Sequence, residues 1–170
     1  FRGAGRSSLV LTERREHLEY LTRELQKCVL HVIVLQGGMG KKRRAAVEEL
    51  LKTLPLDEER VIVATGRYAG EVFDDARLDT LFLAMPIAWR GTLQQYVGRL
   101  HRTHEGKREV QVYDYVDTRV PVFARMFTKR MKGYRAMGYE PQESASLSAA
   151  TTSEAGIPAP NSSQDDVFAV

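Results

Sequence analysis

Five short apolar runs, separated by amphipathic or turn-forming stretches, limit what this chain can fold into: SLVLT (8–12), HVIVLQ (31–36), RVIVAT (60–65), LDTLFLAMP (78–86) and VQVYDYV (110–116). HVIVLQ is rich in β-branched residues, and most of the runs are apolar at successive rather than alternate positions, the pattern of strands buried on both faces. Helical spacing fills the gaps between them. Leu18, Leu21 and Leu25 recur through RREHLEYLTRELQK, while Ala46, Val47, Leu50, Leu51 and Leu54 share one side of KKRRAAVEELLKTL before Pro55 closes it. A last helix is predicted from about Val122 to Met137. This alternation defines an α/β domain whose mainly parallel sheet, of about five or more strands, is flanked by helices. In such open sheets ligands bind outside the carboxyl ends of the strands.

With 170 residues, 43% apolar and 28% charged, the chain suits a single core. That core is expected over residues 1–140, with a disordered tail or linker over 141–170. The stretch PQESASLSAATTSEAGIPAPNSSQDD cannot bury enough apolar surface to offset its ordering entropy. The closing VFAV is short but apolar enough to dock. The tail's four charges, Glu143, Glu154, Asp165 and Asp166, are all acidic, which leaves residues 1–140 with 25 basic against 18 acidic residues, a net +7. That balance favours phosphate-bearing partners without setting specificity. No run approaches the roughly 20 apolar residues of a membrane span and no signal peptide opens the chain, so a cytoplasmic location without membrane contact is expected. Cys28 stands alone, which excludes a disulfide framework and a cysteine-rich zinc site. His101 and His104 lack a third ligand at suitable spacing, so no metal site is expected. A first residue Phe1 points to a piece of something longer.

The strand ends carry the chemistry: TER (12–14), QGGMGKKRR (36–44), ATGRYAGEVFDD (64–75), and the segment through Trp89 into QYVGRLHR (95–102). Two familiar motifs are imitated and fail. GGMGKK is not a P-loop, because Leu35 occupies the first glycine position and Lys42 the final Ser/Thr position. DEER (57–60) precedes a strand instead of ending one, so it reads as loop. In QYVGRLHR, Thr92 and Gln95 have capping-box spacing, and Gln95, Arg99 and Arg102 follow at i, i+4 and i+7 on one helical face. A pair of guanidinium groups matches the oxygens of a polyphosphate. Gly98 inside that helix costs about 1 kcal/mol against alanine, which is intelligible where something approaches closely. Spacing alone leaves open that Gln95 only caps and the arginines are ordinary solvated side chains.

Gln95-x-x-Gly98-Arg99-x-x-Arg102 resembles motif VI of superfamily 2 helicases, and ATGRYAGEVFDDARLDTLF (64–82) resembles their motif V, in matching order and spacing. LVLTERREHLEYL is similar to the strand and helix carrying motif IV, and VIVLQGGMGKKRR to the next segment. The resemblance covers about residues 7 to 138 and is to the second, C-terminal RecA-like domain of DEAD/DEAH-type motors, with wording nearest bacterial restriction and mobile-element defence helicases. It implies a RecA-like three-layer domain acting as the C-terminal half of an ATP-dependent helicase or translocase.

Roles follow from that resemblance. Arg99 and Arg102 would be arginine fingers, projecting from the ligand-binding rim toward ATP and Mg2+ held mainly by a missing N-terminal RecA-like domain, and Gln95 would line the same cleft. Asp74, with Gly70 and Glu71, would contact the nucleotide. Thr65, Gly66 and Arg67 would hold a nucleic-acid phosphate, and Thr12, Arg14, Gly37 and Gly38 would extend that track. Such donors read phosphate and not base, so binding without sequence preference follows. The nucleic acid would be single-stranded or partly duplex DNA ahead of RNA. Plainer readings stay open: Thr65 as a strand end, Gly37-Gly38 as a turn, Asp74 as a loop carboxylate. Val72 departs from the family pattern, which has glycine there. The alternative to a motor half is a RecA-like module that binds nucleic acid or protein without ATPase activity.

Overall fold

The computed structural model describes residues 6–55, 58–65, 75–85, 92–143 and 166–169. All five predicted strands form: β1 (Ser7–Thr12), β2 (His31–Leu35), β3 (Arg60–Thr65), β4 (Thr80–Leu83) and β5 (Gln111–Val116). They pair side by side in the order β2-β3-β1-β4-β5, every pair parallel. The helices are α1 (Arg15–Leu25), α2 (Lys41–Thr53), α3 (Thr92–Leu100) and α4 (Pro121–Ala136). Pro121 opens α4, where its missing N–H leaves no helical bond unmade.

The sheet separates two apolar layers. Leu9, Leu11, Ile33, Leu35, Ile62 and Leu81 point to one face, where Leu51 of α2, Leu93, Tyr96, Val97 and Leu100 of α3, and Tyr134 of α4 cover them. Val10, Val61 and Val63 point to the other, under Leu18 of α1 with Leu21 and Leu25 packed around it. Period-two alternation along β1 and β3 feeds both layers at once, which is why these strands read as continuous apolar runs. The result is the RecA-like three-layer α/β arrangement.

Two details depart from the sequence reading. α2 buries a narrower stripe than expected: Leu51 and Leu54 are covered and Val47 packs beside them, but Leu50 is 45% exposed and Ala46 lies in solvent. Only the i, i+4, i+7 line of Val47, Leu51 and Leu54 faces the sheet. The span expected as tail also contributes to the sheet. β6 (Gln142–Glu143) and β7 (Asp166–Ala169) extend it, with β7 antiparallel to β5 through Tyr113↔Ala169, Asp114↔Phe168, Tyr115↔Val167 and Val116↔Asp166. An open edge strand presents unpaired N–H and C=O groups, and backbone pairing satisfies them even when the added segment is short.

One buried ion pair docks α4. Arg130 on α4 donates from Nε to Asp114 Oδ2 at 2.7 Å and from Nη2 to Oδ1 at 2.8 Å, and Tyr134 donates its hydroxyl to Oδ2 at 3.2 Å. No helix among the described residues is long and apolar enough to cross a membrane.

Candidate functional site

The carboxyl ends of the parallel strands form a rim. Thr12 and Thr65 are direct partners in the β1–β3 register, and Leu35 pairs with Ala64, so the turn after β2 lies beside Thr65. The predicted phosphate-track residues Thr12, Thr65, Gly37 and Gly38 therefore line one edge on neighbouring strands about 4.8 Å apart.

Their surroundings differ. Thr65 is half-buried, Gly37 and Gly38 are exposed, and Thr12 is 1% exposed with its hydroxyl 2.9 Å from His17 Nδ1. The Thr12 hydroxyl is therefore already engaged and covered. Arg14 is exposed, and its carbonyl accepts the first bond of α1 from Leu18 N–H at 2.9 Å. The neighbouring Arg15, which sequence reasoning passed over, is the side chain that holds the glycine turn, donating from Nη2 to the Gly37 carbonyl at 3.3 Å. Met39 is tucked under the same turn with its sulfur 3.4 Å from the Gln36 N–H. The turn runs straight into α2, whose first residues Lys41, Lys42 and Arg43 are exposed and whose first turn has no acidic residue.

Gly38 has φ of 85°, and a Cβ there would stand 3.6 Å from Arg15 Nη2. Space is ordinary; the backbone is not. Gly38→Ala is expected to destabilise the chain by about 1 to 2 kcal/mol from left-handed strain alone, whereas Gly37→Ala, with no positive φ and nothing within 4 Å, is expected to be close to neutral. Denaturant midpoints of the two variants check the contrast. Equal midpoints would refute it.

Gln95, Arg99 and Arg102 stand elsewhere. The chain leaves β4 at the rim and enters the parallel β5 at the opposite edge, where Gln111 N–H meets the Asp79 carbonyl at 2.8 Å, so α3 runs from the rim down the outer layer. Its buried stripe is Leu93, Tyr96, Val97 and Leu100. Gln95 and Gly98 are exposed, Arg99 is half-exposed beyond them, and none turns into the core. The helix stops at Leu100; His101 and Arg102 continue in a tighter turn, donating to Gly98 and Arg99 carbonyls at 3.3 and 3.2 Å. Single-face spacing thus holds for Gln95 and Arg99, while Arg102 follows on the turn. The expectation that both arginines project from the rim is corrected. They lie toward the other edge, because nine helical residues at about 1.5 Å each carry the chain most of the way across the sheet. Gly66, Arg67, Gly70, Glu71, Asp74, Val72 and Trp89 lie outside the described residues.

A groove of about 480 Å³ opens on the α1 side, walled by His17, Leu21 and Leu25 of α1, Phe82 and Ala84 of β4, Tyr115 of β5 and Phe123 of α4. It is mostly apolar, and Gln95, Arg99 and Arg102 take no part in its walls. Among the described residues no group of three or more His, Cys, Asp or Glu side chains is arranged to hold a metal ion.

Sheet order and layering define a RecA-like three-layer α/β fold, and comparison with known proteins agrees on the fold. The chain is similar to the crystal structure of T4 UvsW, with a TM-score of 0.58 and 15% identity over 78% of this chain and 29% of that one. It is also similar to the E. coli DEAD-box protein SrmB, solved bound to regulator of ribonuclease activity A, with a TM-score of 0.54 and 22% identity over 74% of this chain and 69% of that one. A curated relative, Transcript termination protein A18 of fowlpox virus (strain NVSL), is 24% identical over 116 residues, covering 68% of this chain. The chain spans 24% of that relative's length. No family model matches.

Proposed function

We propose that this chain is the C-terminal motor half of an ATP-dependent nucleic-acid helicase or translocase, contributing two separate surfaces. On the rim, Thr65, Gly66, Arg67, Gly37 and Gly38, with Arg14 and Thr12 beside them, track a nucleic-acid backbone, single-stranded or partly duplex DNA ahead of RNA. On the outer layer, Gln95, Arg99 and Arg102 face ATP held with Mg2+ by an N-terminal RecA-like lobe, with Gly70, Glu71 and Asp74 completing the nucleotide contacts. The observation that carries this reading is the packing of α3: its apolar stripe is consumed by the sheet while Gln95, exposed, and Arg99, half-exposed, lie one turn apart off that stripe. When bound, ATP and Mg2+ supply the triphosphate whose transferring phosphoryl charge the arginines offset. The residues of this chain bind the nucleic-acid backbone and position guanidinium groups.

The rim's basic and backbone donors bind phosphate, so affinity for a single strand is expected to be weak and to fall steeply with salt. Because no P-loop is present in this sequence, the chain alone is expected to turn over no ATP. Fluorescence anisotropy with a labelled oligonucleotide across a salt series, beside a phosphate-release assay, checks both. Salt-independent binding, or turnover by the chain alone, would overturn the reading.

A further inference from the structure

Lys107 lies seven residues beyond α3, in none of the segments that define the proposed sites. Its ammonium donates to three backbone carbonyls: Ala76 at 2.6 Å, Arg102 at 2.7 Å and Leu100 at 2.9 Å. An ammonium has three donors and no acceptor, so this set saturates it. Leu100 is the last residue of α3, and its carbonyl is among the four that a helix end leaves without an internal partner. A cation at that position also suits the helix dipole. Burial pulls the Lys107 ammonium below the usual lysine range, opposed by the charges of Asp79 and Asp75.

Ala76 belongs to a second anchored segment. Its neighbour Asp75 pairs with Arg60 at 3.3 Å and with Arg77 Nε at 3.0 Å. Arg77 in turn donates to the Leu54 carbonyl at 3.3 Å and to the Leu51 carbonyl, at the end of α2. Residues 75–77 follow directly on residues 66–74, the stretch assigned above to nucleic acid and nucleotide. The chain leaving that stretch is therefore fastened to α2 by Arg77 and to the end of α3 by Lys107.

We propose that Lys107 is a positioning residue whose ammonium locks the carbonyls of Leu100 and Arg102 to that of Ala76, setting where Arg99 and Arg102 stand relative to the segment that leaves residue 74. The inference rests on the proposed function for its catalytic consequence, but its structural half does not. Arginine does not replace it, since a planar fork cannot reach three carbonyls converging on one nitrogen.

The test uses Lys107→Met, which keeps the apolar stem and removes the donors, with Lys107→Arg alongside. In the chain alone, amide hydrogen exchange at residues 99–104 is expected to rise about tenfold or more in both variants while exchange in β1 and β3 is unchanged, a local opening rather than global unfolding. In a protein carrying this chain together with its ATP-holding lobe, kcat is expected to fall about 10- to 100-fold, the scale of a misplacement near 1 Å. KM for nucleic acid should hold. Arg99→Ala and Arg102→Ala serve as controls. If they abolish turnover and Lys107→Met leaves kcat intact, the positioning role is overturned and the proposed function stands. If they leave turnover intact, the proposed function fails, and the exchange measurement alone decides whether Lys107 pins the arginine turn. Unchanged exchange in Lys107→Met overturns the inference in either case.

Discussion

Replacing Arg99 or Arg102 by alanine, in a protein that carries this chain together with the proposed ATP-holding lobe, is expected to lower ATP turnover by about 10³ to 10⁵, the range for a guanidinium that stabilises charge on a transferring phosphoryl group. The geometry makes this loss separable from other defects. Leu93, Tyr96, Val97 and Leu100 form the buried stripe of α3 and Arg99 is not among them, so truncating Arg99 leaves those apolar contacts in place. The proposed phosphate track, Thr12 and Thr65 with the turn after β2, lies at the carboxyl ends of the strands. Single-strand affinity measured without nucleotide should therefore change little, while kcat collapses. Lysine at either position should fail to restore the rate, because a point charge does not reproduce the planar fork. A fall in turnover smaller than about tenfold for both variants would refute the assignment of these residues as fingers.

The largest expected effect on stability lies at Asp114 and Arg130. Their side chains are 0% and 1% exposed, and the two charge-assisted bonds between them are the principal compensation for taking both charges out of water. Removing one partner leaves the other buried without its opposite charge, which costs about 3 to 5 kcal/mol. Asp114→Ala and Arg130→Met are each expected to show that loss in chemical denaturation. The double variant Asp114→Leu/Arg130→Met is expected to recover most of it, since an apolar pair of similar volume is often neutral or stabilising. A single-variant loss below about 1 kcal/mol would contradict the account. A pH signature accompanies it. Burial pushes the Asp114 carboxyl above the usual aspartate range, with Arg130 and Tyr134 opposing. A carboxyl whose folded pKa is raised binds its proton more tightly in the fold, so its contribution is full below the unfolded value of 3.8 and is lost as pH rises through the higher folded value. The stability difference between the wild type and the double variant should shrink in that direction.

Much of the molecule was legible because its signals are local. Five apolar runs became five strands, and Leu18, Leu21 and Leu25 became the packed stripe of α1 as their spacing dictated. A helix through Gln95 and Arg99 was readable from spacing, but its end was not: helical spacing continued to Arg102, whereas the helix closes at Leu100. The groups that hold the candidate site in place were the least visible. Arg15 reaches Gly37 across 22 residues and Lys107 reaches Ala76 across 31, and neither sequence neighbourhood advertises the other. Asp114 did carry a signal, since a carboxylate on the buried alternation of VQVYDYV needs a cation, yet which of the late basic residues supplies it is a question of where α4 crosses β5.

What the sequence by itself determined is the set of elements, their type and the chemistry stored at their ends, because periodicity, capping and turn residues act over a few positions. The tertiary structure alone decided that β1 lies between β3 and β4, that residues from the expected tail pair with β5, and that Gln95 and Arg99 lie off the stripe that α3 buries against the sheet. Those outcomes depend on which apolar faces bury one another and which distant carbonyl finds which donor, and both are settled only when the whole core closes.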